Sequence, residues 1–189
     1  MSKKTAIIFL ANGFEEVEAL GTADVLTRTG IDVILTAISD HKTVIGAHNI
    51  TVIADSCNQD SSLLQNADAL ILPGGMPGAT NLRDSLFVEK SCQIAAQRGA
   101  ICAAICAAPI ALHKFGLLKN KKVTGYPGCE QLSQKPGLMF TGAMIEHDGN
   151  IITGKAPGAT FLFASQIALA LGISQSTVQE TLKGMFILQ

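Results

Sequence analysis

Of the five cysteines in the chain, Cys57, Cys92, Cys102, Cys106 and Cys129, one stands where a sulfur could react. Cys106 follows the apolar run Ala100–Ala104 and precedes a helical pattern through Leu112 and Phe115. Pro109 falls in the first turn of that helix, where its missing N–H costs nothing. A residue at such a strand-to-helix turn can be held in a strained backbone conformation that projects its side chain into a crevice, as at nucleophile elbows. The helix N-terminus offers free N–H groups and a partial positive charge, so the expectation is a lowered pKa and a thiolate at neutral pH. The competing reading is a small buried hydrophobe. That reading is preferred for Cys102, inside the strand, and for Cys57, Cys92 and Cys129 as structural or incidental. An odd, irregularly spaced set without a CxxC pair does not fit zinc spacing or a disulfide framework.

Glu15, Glu16 and Glu18 open the first helical pattern. Carboxylates in a first turn complement the helix dipole, and Glu15 and Glu16 need no further explanation. Glu18 lies beside Val17 and Leu20, at the edge of the face to be buried. A carboxyl held there would have a raised pKa, could donate a hydrogen bond to a thiolate, and could pass a proton to or from a substrate. Pro73-Gly74-Gly75 ends another apolar run with two residues lacking Cβ, which lets backbone N–H groups face a crevice; an oxyanion hole and a plain tight turn both fit. His41 and His48 fall in a surface connection, His147 adjoins the Asp148-Gly149 turn, and His113 lies in the helix after Cys106. None is an evident general base, which weakens a cysteine–histidine peptidase reading.

These groups need elements to hold them. Ala6–Ala11, Asp32–Ala37, Ile50–Ala54, Ala69–Leu72 and Ala100–Ala104 are short apolar runs of the length of buried strands. Glu15–Arg28 and Leu86–Arg98 are amphipathic and stop at Gly30 and Gly99. Thr160–Leu171 is apolar nearly all round and reads as a buried helix, and Ser174–Leu182 as a last amphipathic one. The stretch Val123–Thr153 is less regular, with Asp148-Gly149 turning a hairpin between Met144-Ile145 and Ile151-Ile152. Strands alternating with helices predict a parallel sheet covered on both faces, in a single domain spanning residues 1–189. In such a sheet, functional groups gather beyond the carboxyl ends of the strands, where Glu18, Gly74 and Cys106 would converge.

Composition bounds what this domain can do. Charged residues make up 15 % and the formal net charge is −1, giving no electrostatic footprint for nucleic acid or an anionic membrane. The run Ala6–Ala11 is too short for a signal-peptide core and reads as a strand. No stretch approaches membrane-spanning length. A soluble, cytoplasmic protein is expected.

Taken together, Ala11–Glu18, Leu72–Gly75, Ala103–Pro109 and Thr153–Gly158 with Phe161 and Phe163-Ala164 resemble the ThiJ/PfpI superfamily. The likeness is strongest to the Parkinson's-disease protein deglycase branch with its bacterial YajL-like members. The resemblance implies a flavodoxin-like three-layer α/β sandwich, mostly parallel sheet with helices on both faces, and a homodimer. It implies a nucleophilic, oxidation-sensitive Cys106 with Glu18 as its acid/base partner, and Gly74, Gly75 and Ala107 as backbone groups around the reacting oxygen. Arg28 and Asp24 match positions typical of the branch.

Two departures matter. Ala107 stands where peptidase-like members carry His, and Thr124-Gly125-Tyr126-Pro127 stands where some relatives carry a Thr-His-Pro run. Tyr126 is left as a pocket-lining or packing residue, and His48 takes the place of a common arginine. The implied activity is a glyoxalase or deglycase that needs no metal or organic cofactor and acts on methylglyoxal, glyoxal or their early adducts with amines and thiols. A redox-sensing stress protein and chaperone using Cys106 is the alternative, and a cysteine peptidase comes last.

Overall fold

The computed structural model describes residues 3–58, 66–129 and 137–187. Its main sheet has seven strands in the order β10-β11-β7-β6-β1-β2-β5. Here β1 is Thr5–Leu10, β2 Asp32–Ala37, β5 Ser56–Cys57, β6 Ala69–Leu72, β7 Ile101–Ile105, β10 Ile145–Asp148 and β11 Ile151–Gly154. All neighbours are parallel except the edge pair β10–β11. Of the central strands, β6 and β7 are apolar at every position and β1 at all but its first, because both faces are covered. Ala6, Ile8, Leu10, Ala103 and Ile105 point into one apolar cluster with Phe163 and Ile167, while Ile7, Phe9, Cys102 and Ala104 point into another with Leu82, Val88 and Leu112.

The first layer consists of α1 (Glu16–Arg28), α5 (Thr160–Ala170) and α6 (Gln175–Gly184). The second consists of α2 (Gly78–Asp84), α3 (Leu86–Gln97) and α4 (Pro109–Lys114). This is a flavodoxin-like α/β sandwich, as the resemblance implied.

Three details differ from the sequence expectation. Ile50–Ala54 does not enter the main sheet: β4 (Thr51–Ile53) pairs with β3 (Thr43–Ile45) in a separate hairpin. Ile53 is 75 % exposed there, so the run alternates toward solvent instead of lying between two helical layers. Helix α2 was not foreseen, because a seven-residue helix opening on Gly78 carries too little apolar periodicity to be seen. In the irregular stretch, β8 (Lys122–Val123) pairs with β9 (Met139–Phe140), and residues 130–136 of it lie outside the described ones. The hairpin is present one residue later than expected, with Asp148 paired to Ile151 and Gly149 at φ 66° in the turn.

Register sets the site. On β6 and β7, Leu72 pairs with Ala104. Two residues further along each strand, Gly74 therefore comes beside Cys106.

Candidate active site

Cys106 has φ 61°, a left-handed backbone that costs a side-chain-bearing residue on the order of 1–3 kcal/mol. The surroundings fix it there. Its N–H donates to the Gly154 carbonyl at 2.9 Å, continuing the β7–β11 ladder, and its own carbonyl accepts the Tyr126 N–H at 2.8 Å. The strained strand-to-helix turn read from the sequence is present, with Pro109 opening α4.

Opposite it stands Glu18, 1 % exposed on the buried face of α1. Its Oε2 accepts the Gly74 N–H at 2.7 Å. A Cβ on Gly74 would lie 2.7 Å from the Cys106 Cβ and 2.8 Å from Glu18 Oε2, so the glycine leaves the gap through which acid and thiol meet. The thiol and the carboxyl face each other across this gap and act on each other's proton. Burial raises the Glu18 pKa to about 7, against the pull of the Gly74 and Cys106 hydrogen bonds.

The thiol does not follow expectation. Burial first, then the charge and hydrogen bond of Glu18, push Cys106 up to about 12, although the Gly75 and Ala107 N–H groups act to lower it. The expectation of a free thiolate at neutral pH is thus corrected. It counted the N-terminus of α4, but that helix has only six residues, and a sulfur 8 % exposed loses more hydration than so short a helix returns. At neutral pH the sulfur keeps its proton, beside a carboxyl poised near neutrality. Gly74 also differs from its expected part: its N–H is spent on Glu18, while Gly75 and Ala107 direct theirs at the sulfur.

A profile of the DJ-1/PfpI family matches residues 4–170. The chain belongs to the DJ-1/PfpI family. It is 34 % identical to protein dj-1beta of Drosophila melanogaster, over 97 % of each chain. The crystal structure of that fly's DJ-1beta superposes with a TM-score of 0.93 at 32 % identity, covering 100 % of both chains. The glutathione-independent glyoxalase DJR-1.2 of Caenorhabditis elegans is 29 % identical, over 90 % of each chain.

Around this DJ-1/PfpI site the remaining candidates fall at different depths. Tyr126 reaches it through the main chain, while its side chain is half exposed. Arg28 and Asp24 form an exposed i,i+4 ion pair on α1, at 2.9 Å. Cys92 and Cys102 are fully buried, as read.

Glu16 is more than a helix-dipole residue. It is 6 % exposed, and its two oxygens accept the His48 main-chain N–H at 2.8 Å and meet His48 Nδ1 at 2.7 Å. Burial would raise this carboxyl, but the His48 bonds carry it below its ordinary value. Glu16 thus fastens the 46–50 turn, whose Ala47 N–H donates to the Phe14 carbonyl beside the site. Glu15, Glu16 and His48 bring ligand-type atoms within 4.8 Å of one another, the grouping most suited to a cation here, yet His48 already occupies both Glu16 oxygens. A separate cleft at the ends of β1 and β2, lined by Asn12, Ser39, Asn81 and Asp84 among others, does not include Cys106 or Glu18.

Sequence reasoning missed the contributions of Gly125 and Gly154 to the Cys106 turn. Only Gly125, standing in place of a side chain just after Thr124, left a mark in the sequence.

Among the described residues no helix is long and apolar enough to cross a membrane.

Proposed function

We propose that this chain is a cofactor-free glyoxalase or deglycase acting on methylglyoxal, glyoxal or their early adducts with amines and thiols. The observation that carries the reading is a buried carboxyl, its pKa raised to about 7, beside a cysteine held in a strained turn. The worm relative's name adds support for the substrate class.

Because burial keeps Cys106 a thiol, its attack needs a base, and Glu18 is that base. Glu18 accepts the thiol proton as sulfur adds to the aldehyde carbon, and the former carbonyl oxygen takes a proton to give a hemithioacetal. Glu18, having passed the thiol proton to that oxygen, then removes the hydrogen from the carbon and returns it to the neighbouring one. The hydroxyl proton meanwhile shifts from the first oxygen to the second, which moves the oxidation level along the chain and leaves a thioester. Water cleaves the thioester, releasing the 2-hydroxy acid and restoring the thiol. Methylglyoxal plus water thus becomes lactate with no external oxidant. Gly75 and Ala107 N–H groups, already at the sulfur, are placed to steady the developing oxyanion. Ala107 in place of a histidine speaks for this route over peptide cleavage.

The test compares hydroxy-acid release from methylglyoxal by wild type, Cys106→Ala and Glu18→Ala. Cys106→Ala is expected to abolish release, and Glu18→Ala to lower it by roughly 10²–10⁴-fold. Release from wild type no faster than from Cys106→Ala ends the reading. The working form is proposed to be a homodimer in the cytoplasm.

A further inference from the structure

Cys129 lies against the reactive turn. Its Sγ is 3.7 Å from the Cys106 carbonyl oxygen. Its N–H donates to the Tyr126 carbonyl at 2.9 Å, and the Tyr126 N–H in turn holds the same Cys106 oxygen at 2.8 Å. Gly125 permits this approach. A Cβ there would stand 3.0 Å from the Cys106 oxygen and 3.2 Å from the Cys129 Cβ, so a side chain at 125 would wedge between the two cysteines. Both cysteines are 8 % exposed, whereas Cys92 and Cys102 are wholly buried and closed to a dissolved oxidant. A disulfide requires Cα atoms about 4.4–6.8 Å apart, and the Cys129 sulfur, 3.7 Å from the Cys106 carbonyl oxygen, already lies against the Cys106 main chain.

We propose that Cys129 is the resolving thiol for Cys106, the pair closing a reversible disulfide when the site meets a hydroperoxide. This rests on the reading of Cys106 as the reactive sulfur. In the first step Glu18 takes the Cys106 proton, sulfur attacks the hydroperoxide, the O–O bond breaks, and the leaving oxygen departs with that proton as water or an alcohol. Sulfur is oxidised to the sulfenic acid, and the peroxide is reduced. In the second step the Cys106 side chain turns from Glu18 toward Cys129, whose sulfur displaces the hydroxyl. One S–S bond forms, and the Cys129 proton leaves with the hydroxyl as water. The disulfide removes Cys106 from carbonyl chemistry and keeps it from the irreversible sulfinic acid, and a dithiol restores it.

The test treats wild type and Cys129→Ser with three equivalents of hydrogen peroxide, then alkylates and digests without reductant. Wild type is expected to lose about 2 Da and to yield a peptide linking Cys106 to Cys129. Its methylglyoxal activity should fall and return with dithiothreitol. Cys129→Ser is expected to start near wild-type activity, gain two oxygens at Cys106, and stay inactive after dithiothreitol. The wild-type linkage is read by mass, so it stands without the variant and without turnover. Two oxygens at Cys106 beside a reduced Cys129 in wild type overturn the resolving role while leaving the reactive thiol in place. A Cys106 untouched by peroxide overturns both the resolving role and the reactive thiol. Absent lactate release with the linkage present counts against the glyoxalase reading alone.

Discussion

Glu18 is held where its charge is unwelcome, and that has a consequence measurable without substrate. Its folded pKa of about 7 exceeds the ordinary 4.5 because burial strips the carboxylate of water. Between those values the folded chain keeps a proton that the unfolded chain has released. The stabilisation this represents is complete below the unfolded value and is lost as pH rises through the folded one. At pH 8 the buried charge costs on the order of 3 kcal/mol. Glu18→Gln retains an oxygen for the Gly74 N–H and removes the charge. In urea unfolding it should exceed wild type by up to about 3 kcal/mol at pH 8, with the gap closing near pH 5. A gap equal at both pH values, or favouring wild type at pH 8, would show that Glu18 is not a buried, neutral-pH acid. The same change should cripple turnover. A carboxyl that weakens the fold while completing a thiol pair is the trade expected where stability yields to chemistry.

At the scale of elements, the pair depends on how β6 and β7 end. Because Leu72 is level with Ala104, Gly74 faces Cys106, and the space of one missing methyl separates acid from thiol. Gly74→Ala must push against the Cys106 Cβ, Glu18 Oε2 and the Ala107 nitrogen, which a packed strand end can relieve only by shifting backbone. The expected cost is about 1–3 kcal/mol of stability, read as a lower thermal midpoint. Displacement of the reacting groups should cost roughly 10²-fold in kcat/KM for methylglyoxal. A folded Gly74→Ala protein with near wild-type turnover would remove Gly74 from the argument.

These strand ends were legible in the sequence because strands covered on both faces have no polar positions to hide them, and Cys106 was legible as the residue between such a strand and Pro109. The depth of Glu18 was only half legible, since Val17 beside it is exposed while Glu18 itself is not. The thiol's electrostatics were misjudged, because burial is a property of packing and α4 turned out to be short. The Glu16–His48 and Cys106–Cys129 contacts join residues 32 and 23 positions apart, and His48 and Cys129 stand in irregular connections, so only the fold reveals them.

On the whole molecule, the helical layer that carries Glu18 also presents apolar side chains to solvent. Helices α1 and α5 pack against each other, yet Val17 on α1 is 41 % exposed and Leu162 on α5 is 47 % exposed. Apolar side chains exposed on adjoining helices mark a surface that gains by being covered. Val17 also lies between Glu16, which fastens the 46–50 turn, and Glu18, so a partner seated there would border the site and help exclude water from it. We propose that the homodimer forms through this face. Light scattering on a sizing column should return twice the mass of one chain at micromolar concentration. Leu162→Arg places an uncompensated charge on that face, which costs several kcal/mol once desolvated, and should raise the dimer dissociation constant at least about 10-fold. Because Leu162 faces solvent within the single chain, the variant monomer should unfold at nearly the wild-type midpoint once dilution has separated both proteins. Wild type running as one chain at every concentration would sink the dimer. A Leu162→Arg protein that stays dimeric would move the interface to another face and leave the water-excluding role of this one without support.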